Sequence, residues 1–261
     1  MTEFFLQIQP KYEERESAAE LAERENLYYE PIEMYMAPAL NNAALCDELN
    51  AWHRSVSRIR SIHGAFIDVN PASASPVVRE HSRKCCEDSC LLAKELGAEW
   101  VVFHSSCAPF LRAAYIDNWA NITAEYFMGL AQKHGLTICV ENSMDIDPVP
   151  LSEIMKRVSG KDVQVCLDLG HVNYSREPME AWFDMLGDNI GYLHLSDNYG
   201  KYDNHLAIGD GTVNWETADR LWRSLGKNVP ITLEVGGVEN VKKSLEYLRR
   251  HGYFCGGKDI K

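Results

Sequence analysis

Seven side chains able to bind a metal or move a proton fall at stations along this chain: His63, His104, Glu141, Asp168, His171, His194 and Glu234. Asp203 and His205 follow His194 closely in the stretch DNHLAIGDG. Mixed imidazoles and carboxylates are ligands for zinc, manganese, cobalt or iron(II). Carboxylates also serve as general acids and bases. Several such groups gathered at one place repel one another or stay unsatisfied unless a cation sits among them. If the fold brings these residues together, they imply divalent-metal chemistry.

The elements that must position them are legible in the pattern. Short β-branched or apolar runs alternate with longer segments of helical period, as in a parallel α/β fold. Eight strands are expected at about residues 4–9, 31–36, 56–64, 99–105, 136–142, 163–170, 190–197 and 230–235. His63 ends the third, His104 the fourth, Glu141 the fifth, Asp168 (with His171 just after) the sixth, His194 the seventh and Glu234 the eighth. Between strands, Ile116, Trp119, Ile122, Tyr126 and Leu130 recur at helical steps before Gly135, and that aromatic stripe reads as core. Eight βα units in 261 residues predict one (β/α)8 TIM barrel domain over residues 1–261, with strand C-termini forming the active face. A doubly wound open sheet is the runner-up, weakened by the lack of a glycine-rich dinucleotide fingerprint after the first strand.

Composition narrows the partners. Formal net charge is −12, from 38 acidic against 26 Lys and Arg residues, so long-range electrostatics repel a nucleic-acid polyanion. There is no apolar run long enough for a membrane span, and the opening MTEFFLQIQPKYEERES lacks a signal-peptide layout, so a cytoplasmic protein is expected. Cys139 and Cys166 sit inside apolar strands as small hydrophobes, and Cys85, Cys86 and Cys90 lie on a helix without zinc-finger spacing. His53, His81, His134 and His251 fall on helices or before turns, where solvated or capping roles are expected. The oligomeric state, a homo-oligomer included, stays open.

The segments CVEN, CLDLGH, LHLSDN with the following DNHLAIGDG, and ITLEV resemble the xylose isomerase-like barrel superfamily over nearly the whole chain. That superfamily holds sugar and sugar-phosphate isomerases and epimerases, together with abasic-site nucleases of the endonuclease IV type. In the epimerase branch the resemblance implies one divalent ion (zinc, manganese, cobalt or magnesium) held by Glu141, Asp168, His194 and Glu234. It further implies an enediolate formed beside that ion from a small polyhydroxylated carbonyl substrate, with Glu141 and Glu234 as the catalytic acid/base pair.

In the nuclease branch the resemblance implies three zinc ions, with His63, His104, His171, Asp203 and His205 completing the ligand set. In sugar-handling relatives the Asp203 loop binds substrate instead. Asn204 stands where the nuclease has Arg, and GDGTVNW replaces its glycine-rich continuation, so the isomerase or epimerase reading leads. A phosphodiesterase on abasic DNA, a dehydratase or other lyase, and a barrel that binds without turnover are the alternatives. Gly209 with Gly211 and Gly236 with Gly237 offer backbone N–H groups where barrels bind phosphate, or simply form tight turns.

Overall fold

The computed structural model describes residues 5–108 and 113–255. Its strands are β1 (Leu6–Ile8), β2 (Tyr28–Tyr29), β3 (Ser61–His63), β4 (Trp100–His104), β5 (Thr137–Glu141), β6 (Val163–Asp168), β7 (Ile190–Leu195) and β8 (Ile231–Leu233). Its α-helices are α1 (Arg15–Glu25), α2 (Ala37–Leu40), α3 (Ala43–Ser55), α4 (Pro76–Leu96), α5 (Ala113–His134), α6 (Val149–Met155), α7 (Leu169–Tyr174), α8 (Met179–Leu186), α9 (Trp215–Ser224) and α10 (Val238–His251). The strands are ordered β2-β1-β8-β7-β6-β5-β4-β3 in one sheet. A parallel bridge from Tyr29 to Ile59, just before β3, joins the two ends of that order. The fold is the expected α/β barrel of eight strands. Among the described residues, no helix is long and apolar enough to cross a membrane.

The described residues form two compact units, one drawn from Met1–Tyr28, Ile146–Pro148 and Cys166–Lys261, the other from Tyr29–Asp145 and Val149–Val165. In the first, β1 and β7 both pair in parallel with β8, so that Ile8, Leu195 and Leu233 lie level. α10 turns Val238, Val241, Leu245 and Leu248 inward, a stripe at helical spacing. Gly252 ends it in the left-handed conformation, φ 69°, which glycine adopts without a Cβ penalty. On α9, Trp215, Leu221 and Trp222 are buried, and the Asn214 side chain caps the first turn by accepting from the Thr217 N–H.

In the second unit β3 pairs with β4 and β4 with β5, both in parallel. The central strands are buried almost throughout: Val101, Val102, Ile138, Cys139 and Val140 are inaccessible, as expected where helices cover a parallel sheet. Phe103 stacks on Phe127 of α5 at 5.6 Å. Cys86 and Cys90 are buried on the inner face of α4, in keeping with packing roles.

Two expectations need correction. The second strand is not at 31–36; β2 ends at Tyr29 and Glu33–Tyr35 form a 3-10 turn. Pro31 has no N–H to extend a ladder, although its carbonyl still accepts from the His63 N–H. His53 is neither solvated nor capping. It is 1% exposed, shares the inner face of α3 with Leu49, lies against Trp52 and has no hydrogen-bond partner at either ring nitrogen. The helical period places residues 49 and 53 on one face, and that geometry prevails over the polarity of imidazole.

Candidate active site

In the second unit, the ladder between β4 and β5 ends with His104 directly opposite Glu141. His63 closes β3 beside it. Both imidazoles turn their Nε2 to the same oxygen, Glu141 Oε2, at 3.3 Å from His63 and 3.6 Å from His104. His63 Nδ1 lies 2.9 Å from the Gly64 carbonyl, which fixes the ring. The two rings meet edge to face at 5.1 Å, and Phe66 packs against both. One donor atom from each of His63, His104 and Glu141 fits within 4.8 Å of the others. Two nitrogens and a carboxylate at that spacing suit a borderline metal such as zinc.

In the first unit, Asp168, His194 and Glu234 stand at the carboxyl ends of β6, β7 and β8 and are all buried. His194 Nδ1 lies 2.9 Å from Glu234 Oε2. The other Glu234 oxygen accepts from Gln9 Nε2 at 3.0 Å. Asp168 ends its strand and at once caps α7, its Oδ1 accepting the His171 N–H at 2.7 Å. A Cβ at residue 170 would collide with Ser196 Oγ and lie 3.1 Å from Asp168 Oδ1, so glycine at this position lets α7 start immediately after the carboxylate.

Asp203, His171 and His205 form a separate cluster in the same unit. Asp203 Oδ2 is 3.3 Å from His171 Nε2 and 2.8 Å from His205 Nε2. His205 reaches back through Nδ1 to the Glu234 carbonyl at 2.7 Å. Burial opposes the Asp203 charge, but the hydrogen bonds from His171 and His205 outweigh it and hold this acid down at about 2. Burial likewise opposes a charged His205, but the Asp203 hydrogen bond and the nearby Glu234 charge lift it to about 10. His205 holds a positive φ of 47°, uncommon for a residue with a Cβ, and its ring bonds hold it there.

The loop carrying these residues is organised by Asp197, to which the sequence pattern assigns no role. Its buried carboxylate accepts from the backbone N–H groups of Asn198 (2.9 Å), Gly209 (2.9 Å) and Val213 (3.1 Å) and from the Trp215 indole at 2.9 Å. Gly209 therefore directs its N–H to the protein's own acid. Gly211 is needed for close approach, because a Cβ there would collide with Asp197 Oδ1 and the Asn198 carbonyl. The Gly236 N–H goes to the His205 carbonyl at 3.2 Å, and Gly237 holds φ 83° at the start of α10. Gln9 is the other unassigned contributor; its one sequence signal is its place at the end of an apolar strand.

Comparison with known proteins fits this architecture. The family model for the xylose isomerase-like TIM barrel matches residues 29–251. An uncharacterized protein of Methanocaldococcus jannaschii is 32% identical over 203 residues, covering 73% of this chain and 69% of its own length. A probable endonuclease 4 of Mycoplasma mobile is 29% identical over 104 residues, covering 35% of this chain and 37% of its own length. Among solved structures, a Thermus thermophilus protein soaked with ZnCl2 superposes with a TM-score of 0.75 at 24% identity, covering 94% of this chain and 96% of that one. A D-tagatose 3-epimerase-like protein gives 0.66 at 23% identity, covering 96% and 89%. At these identities the structural likeness speaks for the fold alone.

Proposed function

Because this chain belongs to the xylose isomerase-like TIM barrel family, we propose that it is a divalent-metal-dependent isomerase or epimerase of a small polyhydroxylated carbonyl compound. The observation that carries the reading is the donor set. Asp168, His194 and Glu234 are all buried and offer donor atoms within 4.8 Å of one another, and Glu141 is buried at the end of β5. Two carboxylates at that spacing in a buried site repel unless a cation offsets them, and oxygen ligands with one imidazole suit manganese, zinc, cobalt or magnesium. Such an ion, when bound, polarises a carbonyl and lowers the cost of removing the neighbouring proton.

The remaining work falls to the side chains. Glu141 is oriented by His63 and His104, and Glu234 by Gln9 and His194. One glutamate takes the proton from the carbon next to the carbonyl; the other returns a proton, on the opposite face for epimerisation. Glu141→Gln and Glu234→Gln test this with a panel of ketoses in deuterated solvent. Each variant should fold, and each should lose deuterium exchange at that carbon by about 100-fold or more. Full turnover by either variant would sink the two-carboxylate mechanism.

A second reading, metal-assisted phosphodiester hydrolysis, is favoured by one observation: His63, His104 and Glu141 form a further donor group within 4.8 Å. Cleavage of an abasic duplex by the zinc-loaded protein decides between the two. A lyase is separated from an epimerase by product analysis.

A further inference from the structure

The substrate reading rests on the proposed isomerase or epimerase function; the choice between a phosphorylated and a free substrate turns on what fills the anion-binding positions of the loops. We propose that Glu14 is a specificity-determining residue, its carboxylate occupying the N-terminus of α10 so that phosphorylated compounds are rejected and an uncharged polyhydroxylated carbonyl compound is taken.

A helix N-terminus presents free N–H groups and partial positive charge, and phosphate is a common occupant. Here Glu14 Oε2 accepts the Val238 N–H at 3.0 Å, from 224 positions away along the chain. Gly237 makes room for it: a Cβ at that position would lie 3.1 Å from Glu14 Oε2 and 3.3 Å from Oε1. A side chain at residue 237 would thus crowd the carboxylate, and the positive φ of 83° there also favours glycine.

The position bears on substrate because β1 and β8 are paired neighbours. Gln9, one residue beyond β1, holds Glu234, one residue beyond β8. Glu14 and Val238 follow on the same two connections. The second glycine-rich turn is likewise filled from within: the Gly209 N–H is taken by Asp197, and Lys243 pairs with Asp210 at 2.5 Å. A phosphate would have to displace Glu14 at the first position and Asp197 at the second, bringing its own negative charge against each acid.

The test compares the metal-loaded wild type with Glu14→Gln, which preserves shape and an acceptor oxygen while removing the charge, and with Glu14→Ala. Inorganic phosphate binding is followed by phosphorus-31 line broadening, and turnover is measured on free ketoses and their terminal phosphates. The wild type should prefer the free compounds, and the variants should bind inorganic phosphate about tenfold more tightly than the wild type. Equal phosphate affinity in wild type and folded variants, or a wild-type preference for the phosphorylated compounds, overturns the proposal. If the wild type turns over no ketose of either kind, the isomerase reading fails, while the phosphate arm still decides the role of Glu14. The wild-type arm holds whether or not the variants fold.

Discussion

The indole of Trp215 donates its N–H to Asp197 Oδ2 at 2.9 Å, closing a loop of 18 positions around a buried carboxylate. Three backbone N–H groups converge on the same acid. Asp197→Asn turns an amide NH2 toward some of these donors and leaves them unpaired, so a loss of about 2–4 kcal/mol is expected in urea denaturation. Trp215→Phe removes one donor and should cost less, about 1–2 kcal/mol plus any packing loss. A reversed order would show that the loop is held by packing.

Metal removal should be visible without any substrate. Chelation should lower the melting temperature of the wild type, and re-addition of zinc or manganese should restore it. Glu234→Gln relieves repulsion between the buried carboxylates Asp168 and Glu234. The chelated variant should therefore melt above the chelated wild type, and metal should raise its melting temperature less. Equal metal-induced shifts in both proteins would exclude Glu234 from the ligand set.

His53 sets a pH dependence of stability. Burial lowers its pKa from the ordinary 6.5 to about 4, so between these values the unfolded chain binds a proton that the folded chain refuses. Its contribution is complete above about pH 6.5 and is lost as pH falls through 4, on the order of 3 kcal/mol in all. Denaturation series at several pH values should show His53→Leu losing this part of the slope; an unchanged slope would refute the assignment.

Gly170→Ala places a methyl group against Ser196 Oγ. A loss of about 1–3 kcal/mol is expected, with lowered metal content because Asp168 Oδ1 is also crowded. Adding Ser196→Gly should recover much of the stability, a coupling measurable in a double-mutant cycle. Strict additivity would mean that the strain lies elsewhere.

The strand ends were legible because each apolar run stops abruptly at a polar residue, as in VVFHS, ICVEN, VCLDLGH and YLHLS. Side-chain alternation and run length are local properties, so they reveal that His104, Glu141 and Asp168 end strands, and that His194 lies within one residue of the end of its own, before any partner is known. The second strand failed the same test: PIEMYM looks extended, but a proline at its head stops the ladder and the chain coils.

By itself, then, the sequence determined the barrel and the residues at its carboxyl ends, since periodicity and strand termination are written within a few neighbouring positions. Only the tertiary structure decided what those residues meet. Gln9 reaches Glu234 across 225 positions, and Glu14 reaches Val238 across 224. Asp197 draws Gly209 into service as a structural donor rather than an open anion site. Hydrogen bonds between residues so far apart leave no periodic trace in the chain, because they depend on strand register and loop closure.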